Sequence, residues 1–209
     1  MNLFSQKAKD LFNKWAVDYH ADGMEKGHIN SVKQSFKYIP VSNGNYLEIG
    51  FGNGYSIEHI ASNQYSNGKC FGLDISENML EKASQRLGFF PNVHLETGNF
   101  ITWHPPSGTR FSCIFSMEVF YYFKEIQAGI EKAASLLEPG GRLMVLVNYY
   151  AENEVSLSWP DDVDVYMTLW SEKDYKQGFE KAGLINIKQK RLNRQQDAGT
   201  LMTMGYKAV

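Results

Sequence analysis

The sequence predicts an α/β fold, a doubly wound and mostly parallel sheet of seven strands with helices on both faces. From residue 45 onward, short apolar runs of strand length alternate with segments of helical periodicity. Two of these runs, RFSCIFSME and RLMVLVNYY, are apolar almost throughout, as expected of strands that are covered on both faces. We therefore expect a single domain over residues 1–209, with ligands bound outside the carboxyl ends of the strands.

Two amphipathic helices precede the alternating part of the chain. Apolar residues recur at helical spacing within residues 4–19 and again within residues 29–39. The join between them, HADGMEKGH, contains two glycines, which predicts a mobile connection. We expect residues 1–40 to form a helical lid over a core that is built from residues 45–209.

The predicted strands and helices of the core follow in sequence order. The first five strands are YLEI, KCFGLD, NVHLETG, RFSCIFSME and RLMVLVNYY. Tyr55 to Gln64 form the helix after the first strand, and Ser76 caps the helix after the second. A helix that starts near Ile126 follows the fourth strand and ends at the glycines of EPGG.

The last part of the chain predicts a helix and a hairpin. After an irregular segment, residues 151–170, Ser171 and Asp174 form the pattern of a capping box at a helix start. The runs LINIKQKRL and GTLMTMGYKAV have no helix between them, so we expect them to pair as antiparallel strands.

Composition and charge exclude several classes of protein. The formal net charge of -2 argues against a nucleic-acid partner, because phosphate-backbone binders are basic. No apolar stretch approaches the length of a membrane span, and the start MNLFSQKAKD lacks a signal-peptide core. Cys70 and Cys113 lie in apolar runs, which indicates buried thiols in a reducing compartment. We therefore expect a cytoplasmic protein that does not associate with membranes.

The stretch NYLEIGFGNGYSIEHI contains a glycine-rich turn between a strand and a helix. Gly50, Gly52 and Gly54 stand at alternate positions, and bare backbone at such positions can bend tightly and approach a ligand. A dinucleotide fingerprint would need its third glycine at position 55, which is Tyr55. The turn has no Lys or Arg, and Glu48 adds a negative charge. This arrangement favours a ligand with an ammonium or sulfonium group over a diphosphate.

This ordered pattern resembles the class I S-adenosylmethionine-dependent methyltransferases, in which E/D-x-G-x-G-x-G after the first strand is the cofactor loop. The resemblance extends from about Tyr46 to Val209. It includes an acidic residue that closes the second strand, the segments LEPGGRLMV and FEKAGL, and the terminal hairpin. It implies a Rossmann-like sheet with an antiparallel last strand, and S-adenosyl-L-methionine as the cofactor.

The resemblance also implies roles for the residues around the glycine loop. Gly50 and Gly52 would approach the methionine part of the cofactor, Gly54 completes the motif, and Glu48 would hold the loop and the ammonium group. Asp74 would accept hydrogen bonds from both ribose hydroxyls, since a carboxylate offers two oxygens. The glycines could also serve only a tight turn, and Asp74 could be an ordinary acidic residue at a helix start.

Further residues would contact the adenine and the sulfur. Ile75 would cover one face of the adenine, and Asn99 stands where relatives often have an aspartate against the adenine amino group. Phe100 would stack nearby, while Ser116 and Met117 would run along the cofactor near the sulfonium. Phe100 and Met117 could equally belong to the core.

Methyl transfer from a sulfonium mainly requires that the reactants are positioned, and a base is needed only if the acceptor loses a proton. We expect the catalytic residues to be Tyr121, His20 and Glu118: His20 as a base, Tyr121 at the mouth of the site and Glu118 as an orienting group. Their structural alternatives are a solvent-facing histidine, a core tyrosine and a solvated glutamate. The wider set of candidates is Tyr19, His28, Tyr122, Asn148 and Tyr149.

The acceptor that we expect is a small molecule. The segment SMEVFYY lacks the Asn/Asp-Pro-Pro-aromatic signature of base-amino methylases. It also does not reproduce the acidic groups with which catechol-type enzymes hold magnesium, so we predict no metal site. Alternatives are methylation of RNA or protein, a non-catalytic partner that keeps the fold, and a polyamine-type transfer that uses the acidic cluster near Asp161. The sequence leaves the oligomeric state and the methylated atom open.

Overall fold

The computed structural model describes residues 3–18, 20–194 and 198–209, and only the backbone at residues 3, 4, 20 and 21. Its strands are β1 (Asn45–Ile49), β2 (Lys69–Asp74), β3 (Val93–Thr97), β4 (Phe111–Met117), β5 (Leu137–Val147), β6 (Leu184–Leu192) and β7 (Thr200–Lys207). Its helices are α1 (Leu3–Val17), α2 (His20–Ser35), α3 (Tyr55–Ser62), α4 (Glu77–Leu87), α5 (Ile126–Leu136), α6 (Trp159–Val163) and α7 (Glu172–Lys181). Short 3-10 turns lie at Phe36–Tyr38, Phe120–Tyr122 and Glu154–Ser156.

The strands form one seven-stranded sheet in the order β3-β2-β1-β4-β5-β7-β6. Neighbouring strands from β3 to β5 are parallel, whereas β7 runs antiparallel to both β5 and β6. The predicted fold class and the antiparallel last strand are confirmed. Because the strand order reverses at β1, the carboxyl ends of β1, β2 and β4 meet at the switch point where such sheets bind ligands.

Alternation along β1 explains why helices cover both faces of the sheet. Leu47 and Ile49 point into one core, which also contains apolar residues of α5 and α7. Tyr46 points into the other core, with apolar residues of α2, α3 and α4. Both cysteines are free, and both lie in this second core.

Several predicted helix ends agree with the structure. The Ser76 hydroxyl accepts a hydrogen bond from the Met79 N–H, and Ser171 with Asp174 forms a complete capping box. The boundary between α5 and β5 differs from the prediction. The strand begins at Leu137 and takes in EPGG, with a register shift opposite Phe111 that accommodates the extra residues.

The prediction that HADGMEKGH joins two helices was wrong. These residues belong to α2, whose described part begins at His20. A Cβ at Gly23 or Gly27 would meet nothing within 4 Å, so neither glycine is required by packing. Each costs the helix about 1 kcal/mol relative to alanine. The half-buried side chains on the inner face of α2 offset that cost.

The part of the chain that the structure describes contains no helix long and apolar enough to cross a membrane.

Candidate functional site

A cavity of about 140 Å³ lies at the carboxyl ends of β1, β2 and β4. The loop after β1, the ends of β2 and β4, and residues 98–100 after β3 line it from the sheet. Side chains of α1 and α2 line the same cavity, so the N-terminal helices cover the crevice at the switch point.

The three glycines of the loop have positive φ angles but different surroundings. A Cβ on Gly50 would lie 2.2 Å from Val119 Cγ2, and a Cβ on Gly54 would lie 2.8 Å from Leu87 Cδ1 in α4. A Cβ on Gly52 would meet no atom within 4 Å, and Gly52 lines the cavity. Gly52 therefore presents bare backbone to a ligand, whereas Gly54 allows the loop to pack against α4 and does not line the cavity.

Asp74 connects this loop to the next strand. Its Oδ2 accepts a hydrogen bond from the Gly52 N–H at 2.9 Å, and its Oδ1 accepts one from the Ser76 N–H at 3.0 Å. Burial raises the pKa of the carboxyl, while these backbone donors oppose the rise. Each oxygen keeps a further lone pair, so the group can accept two more hydrogen bonds from a ligand. Ile75 lines the cavity beside it.

Glu48 is a buried carboxyl at the base of the cavity. It is 3% exposed, and its Oε2 accepts a hydrogen bond from the Tyr46 hydroxyl at 2.9 Å. Burial raises the pKa of Glu48 to about 8, against the lowering effect of the Tyr46 hydroxyl. A cation in the cavity would favour the ionised form.

The residues predicted around the adenine lie at the cavity. The Asn99 side-chain amide donates to the Ser5 hydroxyl of α1 at 3.1 Å, and its carbonyl oxygen accepts from the Ile101 N–H. Phe100 lines the cavity while its ring stacks on Phe123. Asn99 thus also connects the sheet to the N-terminal helices.

Ser116 and Met117 at the end of β4 were both predicted to lie along the cofactor, but only one of them faces the cavity. Met117 lines the cavity. Ser116 is fully buried behind the wall, and its hydroxyl donates to the Ile49 carbonyl at 3.0 Å. Because neighbouring strand residues point to opposite faces, only one of the two reaches the crevice.

Glu118 and Tyr121 interact directly. Glu118 lines the cavity with φ 59°, and its carboxylate accepts from the Tyr121 hydroxyl at 2.8 Å and from the Asn148 N–H at 2.5 Å. Burial raises the pKa of Glu118 to about 8. Tyr121 is 2% exposed and does not line the cavity, whereas Tyr122 does. The structure therefore places Tyr121 behind Glu118.

The histidine that the structure brings to the cavity is His28. It is half-buried in α2 and forms no hydrogen bond with any residue whose side chain is described. Burial lowers the pKa of His28 to about 4. The predicted base, His20, has no described side chain, and Tyr19 lies outside the described residues.

Sequence reasoning missed Glu25, which connects α2 to the glycine loop. Its Oε2 accepts from the Asn53 side-chain amide at 2.7 Å and from Arg86 of α4 at 3.0 Å. Asn13 of α1 makes a similar connection, since its Oδ1 accepts from the Ser76 hydroxyl at 2.6 Å. Asn53, which stands between Gly52 and Gly54, was the one sign of this contact in the sequence. Its partner Glu25 lies in a segment that the sequence predicted to be a mobile connection.

The charge of the cavity is acidic. Carboxyl groups of Glu25, Glu48, Asp74 and Glu118 line it, and no Lys or Arg does so among the described residues. Over the same residues, no group of three or more His, Cys, Asp or Glu could hold a metal ion. The acidic lining fits a positively charged ligand.

Comparisons with known proteins agree with this geometry. A family model described as a methyltransferase domain matches residues 40–190. The chain is 27% identical over 179 residues to malonyl-[acyl-carrier protein] O-methyltransferase 1 of Ilyobacter polytropus, covering 84% of this chain. It spans 62% of that relative, less than two thirds of the relative's length.

Two solved structures share the fold. One is a chain from the complex between the Haloferax volcanii Trm112 methyltransferase activator and a methyltransferase. It has a TM-score of 0.84 and 28% identity, over 95% of this chain and 98% of that one. The other is phosphoethanolamine N-methyltransferase 2 of Haemonchus contortus with phosphomonomethylethanolamine and S-adenosylhomocysteine. Its TM-score is 0.78 and its identity 16%, over 96% of this chain and 60% of that one.

Proposed function

The chain belongs to the family of methyltransferase domains, as the class I resemblance in its sequence indicated, and on this premise we propose that it transfers the methyl group of S-adenosyl-L-methionine to a small-molecule acceptor. The observation that carries the proposal is the pairing of bare backbone at Gly52 with the Asp74 carboxylate at one edge of a single cavity. Such a cradle suits a ligand that has both a cationic amino-acid part and a ribose.

The residues present fit this cofactor. Asp74 would accept hydrogen bonds from the ribose hydroxyls, and Glu48 would face the ammonium group from the base of the cavity. Ile75, Asn99 and Phe100 would surround the adenine, and Met117 would lie near the sulfur. The bound cofactor supplies an electrophilic methyl group. The protein orients the acceptor and excludes water beneath α1 and α2.

The enclosure of the cavity supports a small acceptor. Phe12 of α1 lies edge-to-face against Tyr122, with ring centroids 5.3 Å apart, so a helix closes the side at which an acceptor would approach. A large substrate such as RNA would need an open and basic surface there.

The test is calorimetric titration of the whole chain with S-adenosyl-L-methionine and S-adenosylhomocysteine. A metabolite extract is then screened for uptake of the labelled methyl group. Saturable binding of both compounds, followed by label in a low-mass product, supports the proposal. Absence of binding, or preference for a nicotinamide dinucleotide, would overturn it.

A second candidate is methylation of a macromolecule with the help of an activator subunit. The likeness to a chain from the Haloferax volcanii Trm112 complex favours it. Size-exclusion chromatography of this chain mixed with the Haloferax volcanii activator tests it. Co-elution, together with labelling of bulk RNA or protein, would favour this candidate over the first.

A further inference from the structure

Several side chains that line the cavity lie outside the proposed cofactor contacts, and we group five of them as an acceptor wall. This acceptor wall consists of Phe12, Met24, His28, Tyr122 and Phe123. Its members come from α1, α2 and the segment after β4, and four of the five are apolar or aromatic. Aromatic rings at a pocket wall favour a planar apolar partner, through edge-to-face and stacked contacts.

The charges around the wall disfavour an anionic acceptor. A buried carboxylate or phosphate needs a cation or several donors, and no described Lys or Arg lines the cavity. The carboxylate of Glu25 is already paired with Arg86. Burial raises the pKa of Glu48 and of Glu118 to about 8, and neither carboxyl, protonated or ionised, offers a positive charge to an anion. The charged groups around the wall are therefore acidic or neutral among the described residues.

The charges also give little support to a cationic acceptor. Asp74 lies at the end of β2, where the ribose would bind, and its carboxylate oxygens already accept from the backbone. Glu118 accepts from Tyr121 and Asn148. An ammonium group at the wall would thus find no ionised carboxylate without another partner.

The polar group of the wall that lacks a partner is His28. Its ring forms no hydrogen bond with a described side chain or backbone group, although it is half-buried. Because burial keeps the ring neutral at pH 7, one ring nitrogen is a donor and the other a free acceptor. A ligand hydroxyl would satisfy that acceptor.

We propose that the acceptor wall binds an uncharged planar molecule of the phenol class, and that His28 takes the proton of its hydroxyl group during transfer. This inference rests on the proposed function. In the balanced step, the hydroxyl oxygen supplies the electron pair of the new O–C bond. The bond between the methyl carbon and sulfur breaks, with its pair left on sulfur, and the hydroxyl proton moves to a ring nitrogen of His28.

Binding of three probe compounds tests the acceptor class. The whole chain, saturated with S-adenosylhomocysteine, is titrated by calorimetry with 4-methylphenol, 4-hydroxybenzoate and tyramine, which differ mainly in charge. We expect 4-methylphenol to bind at least tenfold more tightly than 4-hydroxybenzoate and no more weakly than tyramine. Tighter binding of the acid or of the amine, or no binding of any phenol, would overturn the inference.

The same titration separates the two proposals. If S-adenosylhomocysteine itself does not bind, the proposed function fails. If it binds and 4-methylphenol does not, only the acceptor class is wrong.

A matched pair of variants tests the role of His28. His28→Gln keeps a polar group of similar size that cannot take up a proton, and His104→Gln changes an exposed histidine between β3 and β4. We expect His28→Gln to lower kcat for methyl transfer to 4-methylphenol at least 100-fold, in the range of general base catalysis. S-adenosylhomocysteine affinity should stay within threefold of the unaltered chain, and His104→Gln should change neither quantity.

A spectroscopic readout is independent of turnover. The ring resonances of His28 should shift when 4-methylphenol is added to the complex with S-adenosylhomocysteine, and those of His104 should not. An unchanged kcat in His28→Gln would overturn the proposed role. So would a tenfold loss of S-adenosylhomocysteine affinity, which would place His28 at the cofactor. If thermal unfolding shows that His28→Gln is destabilised, His28→Asn provides the same test.

Discussion

The Asp74 carboxylate accepts a hydrogen bond from the main-chain N–H of Gly52 at 2.9 Å, which connects the end of β2 to the glycine loop after β1. The same carboxylate accepts from the Ser76 N–H at the start of α4. One side chain therefore fixes the loop and the helix start before any ligand arrives. Such preorganisation lowers the entropic cost of binding.

Replacement of Asp74 should weaken cofactor binding more than it weakens the fold. Hydrogen bonds to a charged group contribute about 1.5–3 kcal/mol each. We expect Asp74→Ala to bind S-adenosylhomocysteine roughly 100-fold more weakly than the unaltered chain does. The affinity of Asp74→Asn should lie between those of Asp74→Ala and the unaltered chain. Calorimetry measures the affinities, and circular dichroism checks that the fold is kept.

Glu77→Ala is the control for the alternative that Asp74 only provides negative charge at the start of a helix. Glu77 lies in the first turn of α4, where it pairs with Lys9 at the surface. Its loss should leave the affinity unchanged. Equal binding by the Asp74→Ala variant and the unaltered chain would show that the ribose site is elsewhere.

Two glycine substitutions should separate ligand contact from packing. Gly52→Ala places a methyl group in the open cavity at φ 54°, whereas Gly54→Ala drives one to 2.8 Å from Leu87 at φ 84°. We expect Gly52→Ala to cost about 1–2 kcal/mol of stability from its backbone angle and to lose at least tenfold in cofactor affinity. Gly54→Ala should lower the free energy of unfolding by more than Gly52→Ala does, as seen in urea titrations. The reverse order of stabilities would contradict this division of roles.

Glu48 should make stability and cofactor binding depend on pH. Its pKa is about 8 in the fold, against an ordinary value of 4.5. Between these values the folded chain holds a proton that the unfolded chain has lost, so the free energy of unfolding falls as pH rises from about 5 to 8. Urea titrations over this range should show a smaller slope in Glu48→Gln. Above about pH 6.5 a residual slope of the same sign should remain, because Glu118 has the same raised pKa, whereas below this pH the lowered pKa of His28 contributes a slope of the opposite sign.

Cofactor binding should release the proton of Glu48. A cation beside the carboxyl stabilises the ionised form and lowers its pKa. At pH 7, binding enthalpies measured in phosphate and in Tris should therefore differ by the ionisation heat of a fraction of one proton. Glu48→Gln should remove that difference. Equal enthalpies for the unaltered chain in both buffers would mean that the cationic group binds away from Glu48.

The sequence was sufficient to predict the site residues that come directly after the ends of parallel strands. Gly52 and Asp74 end up together because they follow neighbouring strands at the switch point, which motif order and strand order predict. Ser116 and Met117 were not distinguished, because the pattern FSCIFSM is apolar on both faces and does not show which residue faces the crevice. Register decides that, and register depends on tertiary pairing.

The residues that α1 and α2 contribute to the site were harder to predict, for a different reason. Two glycines suggested a break near Glu25 and His28, but both residues belong to α2, where Glu25 contacts the glycine loop and α4. Tertiary contacts thus overrode local propensity. The sequence also did not show which of Tyr121 and Tyr122 faces the cavity. The two residues are adjacent in a 3-10 turn and point in different directions, so the position of the turn decides which ring is in the core.

Tyr121→Phe tests whether Tyr121 acts on the acceptor directly or through Glu118. Its hydroxyl donates to Glu118 and is buried, so its loss leaves a carboxyl without one of its two donors. We expect a loss of about 1–3 kcal/mol in the free energy of unfolding. Tyr122→Phe should affect stability less, and it should change binding of 4-methylphenol more. A selective loss of kcat in Tyr121→Phe with unchanged stability would instead support a direct catalytic role.

The contact of Glu25 with Asn53 and Arg86 should control how fast the lid opens. Glu25→Ala removes an acceptor that joins α2 to both the glycine loop and α4. We expect faster hydrogen exchange in residues 20–35 and a cofactor dissociation rate raised several-fold, measured by stopped-flow displacement. Lys82→Ala is the matched control, since it removes an ion pair with Asp22 between the same two helices at the surface. Exposed pairs contribute at most about 1 kcal/mol. Equal acceleration by both variants would show that general loosening of α2, and not its contact with the loop, governs release.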